Sequence, residues 1–241
     1  MKALSHARPD ASRPAPRSLS RMTWPEFAEA LQGLNWALVP VGSTKEHGDA
    51  GKYGVASLRA EQFCLVVAQR LYPRALVLPP LRYGLRFSGG SRPGGLGLSV
   101  DAFISWCSGI CGSLYYHGLR RLVLVSADDA NLAPLGILCN RFRRDHPECR
   151  LAWVSLNQLA RLDGTAGKAA DPAAPPGIGL PQRTTSGPEL EDQIAQYWWL
   201  AKHATPHAGP GRTPGSECKD DRGAMMIEAA VERLLRFLEG W

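Results

Sequence analysis

The chain has 241 residues, 44% of them hydrophobic and 21% charged, with a formal charge of +6. That length and balance argue against a disordered or membrane-embedded chain and suit one soluble domain with a substantial core. The basic excess does not point to nucleic acid or a membrane surface as partner, because Lys2, Arg8, Arg13, Arg17 and Arg21 against Asp10 place +4 of it before Met22 and leave +2 for the rest.

Residues 1–21 mix Arg, Ser, Ala and Pro without an apolar run long enough for a secretory signal or a membrane span. They read as a disordered basic tail, with an organelle transit peptide as the compositional alternative, and 22–241 read as a single domain. Thr23-Trp24-Pro25-Glu26 has the form of a capping box with Pro in the first turn, which predicts a helix through Phe27 and Leu31 ending near Gly33. Trp36 to Val41 is a continuous apolar run, as expected of a strand buried on both faces. Similar runs recur at Ala75 to Leu78, Leu122 to Val125 and Leu151 to Val154. Helical spacing lies between them: Phe63, Val66 and Val67 before the second strand, and Phe103, Cys107, Ile110 and Leu114 before the third. The last segment places Ile227, Val231, Leu234 and Leu238 on one face.

Strands alternating with helices predict an α/β fold, a three-layer sandwich with a mainly parallel sheet flanked by helices and ligand sites at the carboxyl ends of the strands. Asp163 to Gly187 and His203 to Gly215 are rich in Gly, Ala and Pro and are expected to be long loops. Cys64, Cys107, Cys111, Cys139, Cys149 and Cys218 show no CxxC spacing. They read as reduced core thiols of a cytoplasmic protein, Cys107 and Cys111 lying in an apolar stripe rather than forming a metal pair.

Several segments, in one order, carry a resemblance. Val41-Gly42-Ser43-Thr44-Lys45-Glu46-His47-Gly48 follows the first strand, and Pro79-Pro80-Leu81-Arg82-Tyr83-Gly84 follows the second. Pro93-Gly94-Gly95-Leu96-Gly97-Leu98-Ser99 precedes a helix. His117-Gly118-Leu119-Arg120-Arg121 leads into a strand that ends in Ser126-Ala127-Asp128-Asp129-Ala130-Asn131. Glu189-Leu190-Glu191 and Arg222-Gly223 lie near the C-terminus. Together, from about Thr23 to Leu238, they resemble the creatininase (creatinine amidohydrolase) superfamily, whose members are similar to one another in using two divalent ions to activate water for attack on a C–N bond.

The resemblance also marks departures from that pattern. The first-motif Glu position is Lys45, its Gln is Glu46, and its His is kept as His47. The bridging Asp position falls on Ala56, the third-motif His on Asp128, and a further ligand position on Ala130. The histidine of the C-terminal motif falls on Ser186, while its Glu is kept as Glu191. An ammonium in place of a carboxylate opposes a cation by about 4 kcal/mol per unit charge at roughly 4 Å and an effective dielectric of about 20, and a dication doubles that. The expectation is therefore no metal cofactor, with Lys45 paired to Asp128 and Glu191 as a charged plug. The residual ligand candidates are His47, Asp128 and Glu191. The alternative is one divalent ion, Zn, Fe or Mn, held by Glu46, His47, Asp49 and Asp128.

The expected pocket comprises Lys45, Glu46, His47, Asp49, Asp128, Asp129, Asn131, Glu189 and Glu191. Simpler roles stand beside these: His47 as a hydrogen-bonding residue, Asp128 and Asp129 as helix caps, Glu189 and Glu191 as first-turn acids meeting a helix dipole, and Tyr197-Trp198-Trp199 as core or interface. Two functions follow from the resemblance. One is a non-catalytic member that binds a small molecule or peptide, or serves as a subunit in a homo-oligomer or in a hetero-oligomer with an active relative. The other is an amide, formamide or peptide hydrolase of altered mechanism, with Glu46 or Asp128 as general base and Lys45 as electrostatic stabiliser.

Overall fold

The structure, a computed structural model, describes residues 14–47, 52–85, 93–161, 192–193, 195–196, 200 and 216–241. In chain order the elements are β1 (Arg17–Ser18), α1 (Trp24–Leu31), β2 (Trp36–Val41), α2 (Val55–Arg70), β3 (Ala75–Val77), α3 (Val100–Tyr116), β4 (Arg121–Ser126), α4 (Leu132–Asp145), β5 (Arg150–Ser155), α5 (Leu156–Leu159) and α6 (Ser216–Glu239). The expected loops at 163–187 and 203–215, the Tyr197-Trp198-Trp199 cluster and the side chain of Cys218 lie outside the described residues.

The strands form one parallel sheet in the order β1-β3-β2-β4-β5. Arg17–Ser18, placed by the sequence in the tail, instead pair with Leu76–Val77 at the sheet edge. Their sequence carries no apolar signal because the pairing runs over only two polar residues, Arg17 half-buried and Ser18 buried. The capping box forms as expected: the Glu26 carboxylate accepts the Thr23 backbone N–H at 2.7 Å and its hydroxyl at 2.8 Å.

Because strand side chains alternate between faces, each apolar run feeds two cores. Trp36, Leu38, Val77, Val123, Val125 and Val154 pack with α2, α5 and α6 on one face. Ala37, Val39, Leu76, Leu122, Leu124 and Leu151 pack with α3 and α4 on the other, together with Cys107, Cys111, Cys139 and Cys149. These thiols are free and buried, and burial pushes Cys107 and Cys139 up to about 12, so both stay protonated core residues. No helix among the described residues is long and apolar enough to cross a membrane.

The connections locate the site. From β2 the chain moves through α2 to β3 on one side, whereas β4 passes through α4 to β5 on the other. Right-handed crossovers in opposite directions put α2 and α4 on opposite faces, so the chain leaves the carboxyl ends of the adjacent strands β2 and β4 in opposite senses. That divergence opens a crevice, the usual ligand position of an open parallel sheet.

Candidate functional site

Two loops meet at that crevice, residues 42–47 after β2 and 127–131 after β4. They lie close because β2 and β4 are paired neighbours, the Ala127 N–H donating to the Val41 carbonyl at 3.1 Å, and Gly42 admits α2 beside them: a Cβ at Gly42 would stand 2.4 Å from the Ser57 Cα, so any larger residue would push the start of α2 off the sheet. Ser57 then donates its hydroxyl to the Ser43 carbonyl at 3.3 Å. Asn131, fully buried, joins the loops, donating from Nδ2 to the Gly42 carbonyl at 3.0 Å and accepting the Leu85 N–H at Oδ1, also at 3.0 Å. Gly84 leaves room for this, since a Cβ there would lie 2.6 Å from Asn131 Oδ1.

Within the frame, the Lys45 ammonium lies 2.8 Å from Asp128 Oδ1. Lys45 is 26% exposed and Asp128 only 5%, so the carboxylate is desolvated and the ammonium partly hydrated. Asp128 Oδ1 also accepts the Ala130 N–H at 3.1 Å, capping the single 3-10 turn Asp129–Asn131. The capping role and the ion-pair role therefore coexist in one side chain. Asp128 Oδ2 is buried and has no hydrogen-bond partner among the described residues. His47, 5% exposed, sets its Nδ1 against the Lys45 carbonyl at 3.0 Å. That geometry makes Nδ1 the protonated nitrogen and leaves Nε2 its lone pair. Burial chiefly, with the charge of Lys45 second among the lowering effects, holds the His47 pKa below its ordinary value despite the hydrogen bond to Lys45.

The other expected pocket residues divide. Asp129 accepts the Ser155 hydroxyl at 2.6 Å, tying the ends of β4 and β5 together. Glu46 lies beside the 93–98 segment, a Cβ at Gly95 coming within 3.8 Å of its Oε2. Asp49, Glu189, Glu191 and Ser186 lie outside the described residues. Ala56 is fully buried in the apolar layer and offers no donor. Among the described residues, no three His, Cys, Asp or Glu side chains are grouped so as to hold a metal ion.

One charged residue escaped the sequence reading. Arg59 of α2 is fully buried below the site and reaches the ends of both β4 and β5. Its signal was present: it stands three residues after Ala56 and four before Phe63, on the buried stripe of the helix.

The sequence profile described as Creatininase: Creatinine amidohydrolase matches residues 20–213. Solved creatininases share the fold. A glutamate-to-glutamine mutant creatininase complexed with creatine superposes at a TM-score of 0.70 with 18% identity, over 93% of this chain and 98% of that one. Another glutamate-to-glutamine mutant, of Zn-Zn type, gives 0.69 with 19% identity over 92% and 97%. A manganese creatininase gives 0.67 with 19% identity over 93% and 98%. No curated protein sequence matches the chain.

Proposed function

The chain belongs to the creatininase family, and on that premise we propose that it is a non-catalytic member in which a protein ion pair stands where relatives hold divalent ions. The observation that carries this reading is the Lys45–Asp128 contact of 2.8 Å. Solved relatives are described in zinc and manganese forms. A site for such ions needs several anionic or lone-pair donors converging on one point. Here the two loops bring an ammonium to that point. Its single charge satisfies one buried carboxylate oxygen, and a dication entering beside it would meet like charge across a few ångströms. Ala56 cannot supply the shared carboxylate that brings two ions together.

On this reading the protein acts through what it binds rather than through hydrolysis. A small molecule or peptide at the crevice, or a subunit role in a homo-oligomer or beside an active relative, fits a fold kept intact around an altered rim. We place it in the cytoplasm, in keeping with its reduced thiols.

A second reading is supported by two atoms, Asp128 Oδ2, which has no partner among the described residues, and the His47 Nε2 lone pair. With further carboxylates such as Glu46 and Asp49, the sequence-based candidates, they could hold one ion, which would activate water for an altered C–N hydrolysis. In a version without metal, Glu46 or Asp128 would act as general base and Lys45 would stabilise the developing charge.

Elemental analysis of protein purified without chelator, then exposed to zinc and manganese and dialysed, separates the two. The proposal expects well under one metal per chain before and after exposure. One tightly held ion per chain would establish the second reading, and two would defeat both. Native mass spectrometry on the same sample reads the oligomer.

A further inference from the structure

Removing a guanidinium from water is unfavourable unless opposite charge and hydrogen bonds replace its hydration. Arg59 is fully buried, yet its described acceptors are neutral: the Ala127 carbonyl at 3.4 Å, Asn157 Oδ1 at 2.8 Å and Gln196 Oε1. Its Nε is buried without a hydrogen-bond partner among the described residues. The negative charge opposing it comes from Asp129 first and Asp128 second, the two residues that follow the carbonyl it grips. Burial lowers the guanidinium to about 10, so it remains a cation at neutral pH.

We propose that Arg59 is a second built-in cation of the site, fixed by α2 beneath the end of β4, where it balances the Asp128–Asp129 pair from inside while Lys45 balances Asp128 from the more exposed side. The inference rests on the reading that protein cations stand in for divalent ions, and it deepens that reading. Among the described residues two positive groups, Arg59 and Lys45, meet two negative ones, Asp128 and Asp129, so Arg59 already offsets part of the negative charge that a dication would need. Arg59 acts as a positioning residue: through Asn157 and Gln196 it also ties the start of α5 and the 195–196 segment to the same point.

A charge role differs from a packing role in the sign of one double-mutant cycle, measured on the full chain by thermal unfolding. Arg59→Gln is expected to lower Tm by roughly 10 °C. Asp129→Asn is expected to lower Tm in the wild-type background, where it leaves Arg59 less compensated. In the Arg59→Gln background it is expected to raise Tm by about 2–5 °C, because it removes an unbalanced carboxylate. Arg59→Lys keeps the charge and is expected to keep the wild-type sign. If Arg59→Gln does not fold, recovery of folded protein on adding Asp129→Asn supports the proposal, and continued failure counts against it. An Asp129→Asn effect of equal sign and size in both backgrounds overturns it. That result would leave the Lys45–Asp128 reading standing, whereas bound metal in the purified protein would defeat that reading without changing the sign of the cycle.

Discussion

The two faces of the sheet and its carboxyl rim are built from different materials. The faces bury Leu, Val, Ala, Phe and protonated thiols, each strand serving both layers by simple alternation. At the rim the buried polar groups include Ser43, His47, Ser57, Arg59, Ser126, Asp128, Asn131, Ser155 and Gln196. A face gains stability from area removed from water and tolerates exchange among apolar residues of similar volume. The rim depends on charge balance: each buried ion is acceptable only while its opposite is present. A family fold can therefore persist while its chemistry drifts, provided the rim remains electrically compensated.

This contrast can be broken in both places. The largest effect is expected on a face, where Leu124→Ala in the interior strand β4 leaves a cavity between sheet and helices and costs about 2–5 kcal/mol, read by chemical denaturation. At the rim, Lys45→Met leaves the buried Asp128 carboxylate short of a cation and costs about 2 kcal/mol, less than a fully buried pair because the ammonium is partly hydrated. The Lys45→Met/Asp128→Asn double substitution is expected to recover most of that loss, since it removes both charges together while the Asn side chain keeps an acceptor for the Ala130 N–H. A loss equal to the sum of the two single substitutions would mean that the groups do not compensate each other.

The smallest effect sharpens the contrast through pH. The folded-state pKa of His47 lies below its unfolded value, so its contribution is fully present above about pH 6.5 and is lost as pH falls through the lowered value. Stability is expected to decline on acidification over that window, and His47→Asn is expected to flatten the decline. An unchanged slope in the variant would show that other groups govern it.

The faces were legible in the sequence because apolar runs and helical spacing report burial directly, and β2 falls on the run read from Trp36 to Val41. The capping box at Thr23 was equally plain, its residues acting only on one another. β1 was not legible, since an edge strand of two residues leaves no pattern. At the rim, the types at Lys45, His47, Asp128 and Asn131 showed in the motifs, but their pairing depends on where two distant loops meet. Arg59 went unread because a charged residue within a helix usually faces solvent, and only its place on the stripe between Ala56 and Phe63 hinted otherwise.

The most direct measurement is a crystal grown or soaked with manganese, with anomalous data collected at the end of β4. The account predicts no anomalous peak beside His47 and Asp128, with the Lys45 amine within hydrogen-bonding distance of the carboxylate. A manganese peak bound by those side chains, with the amine turned into solvent, would contradict it.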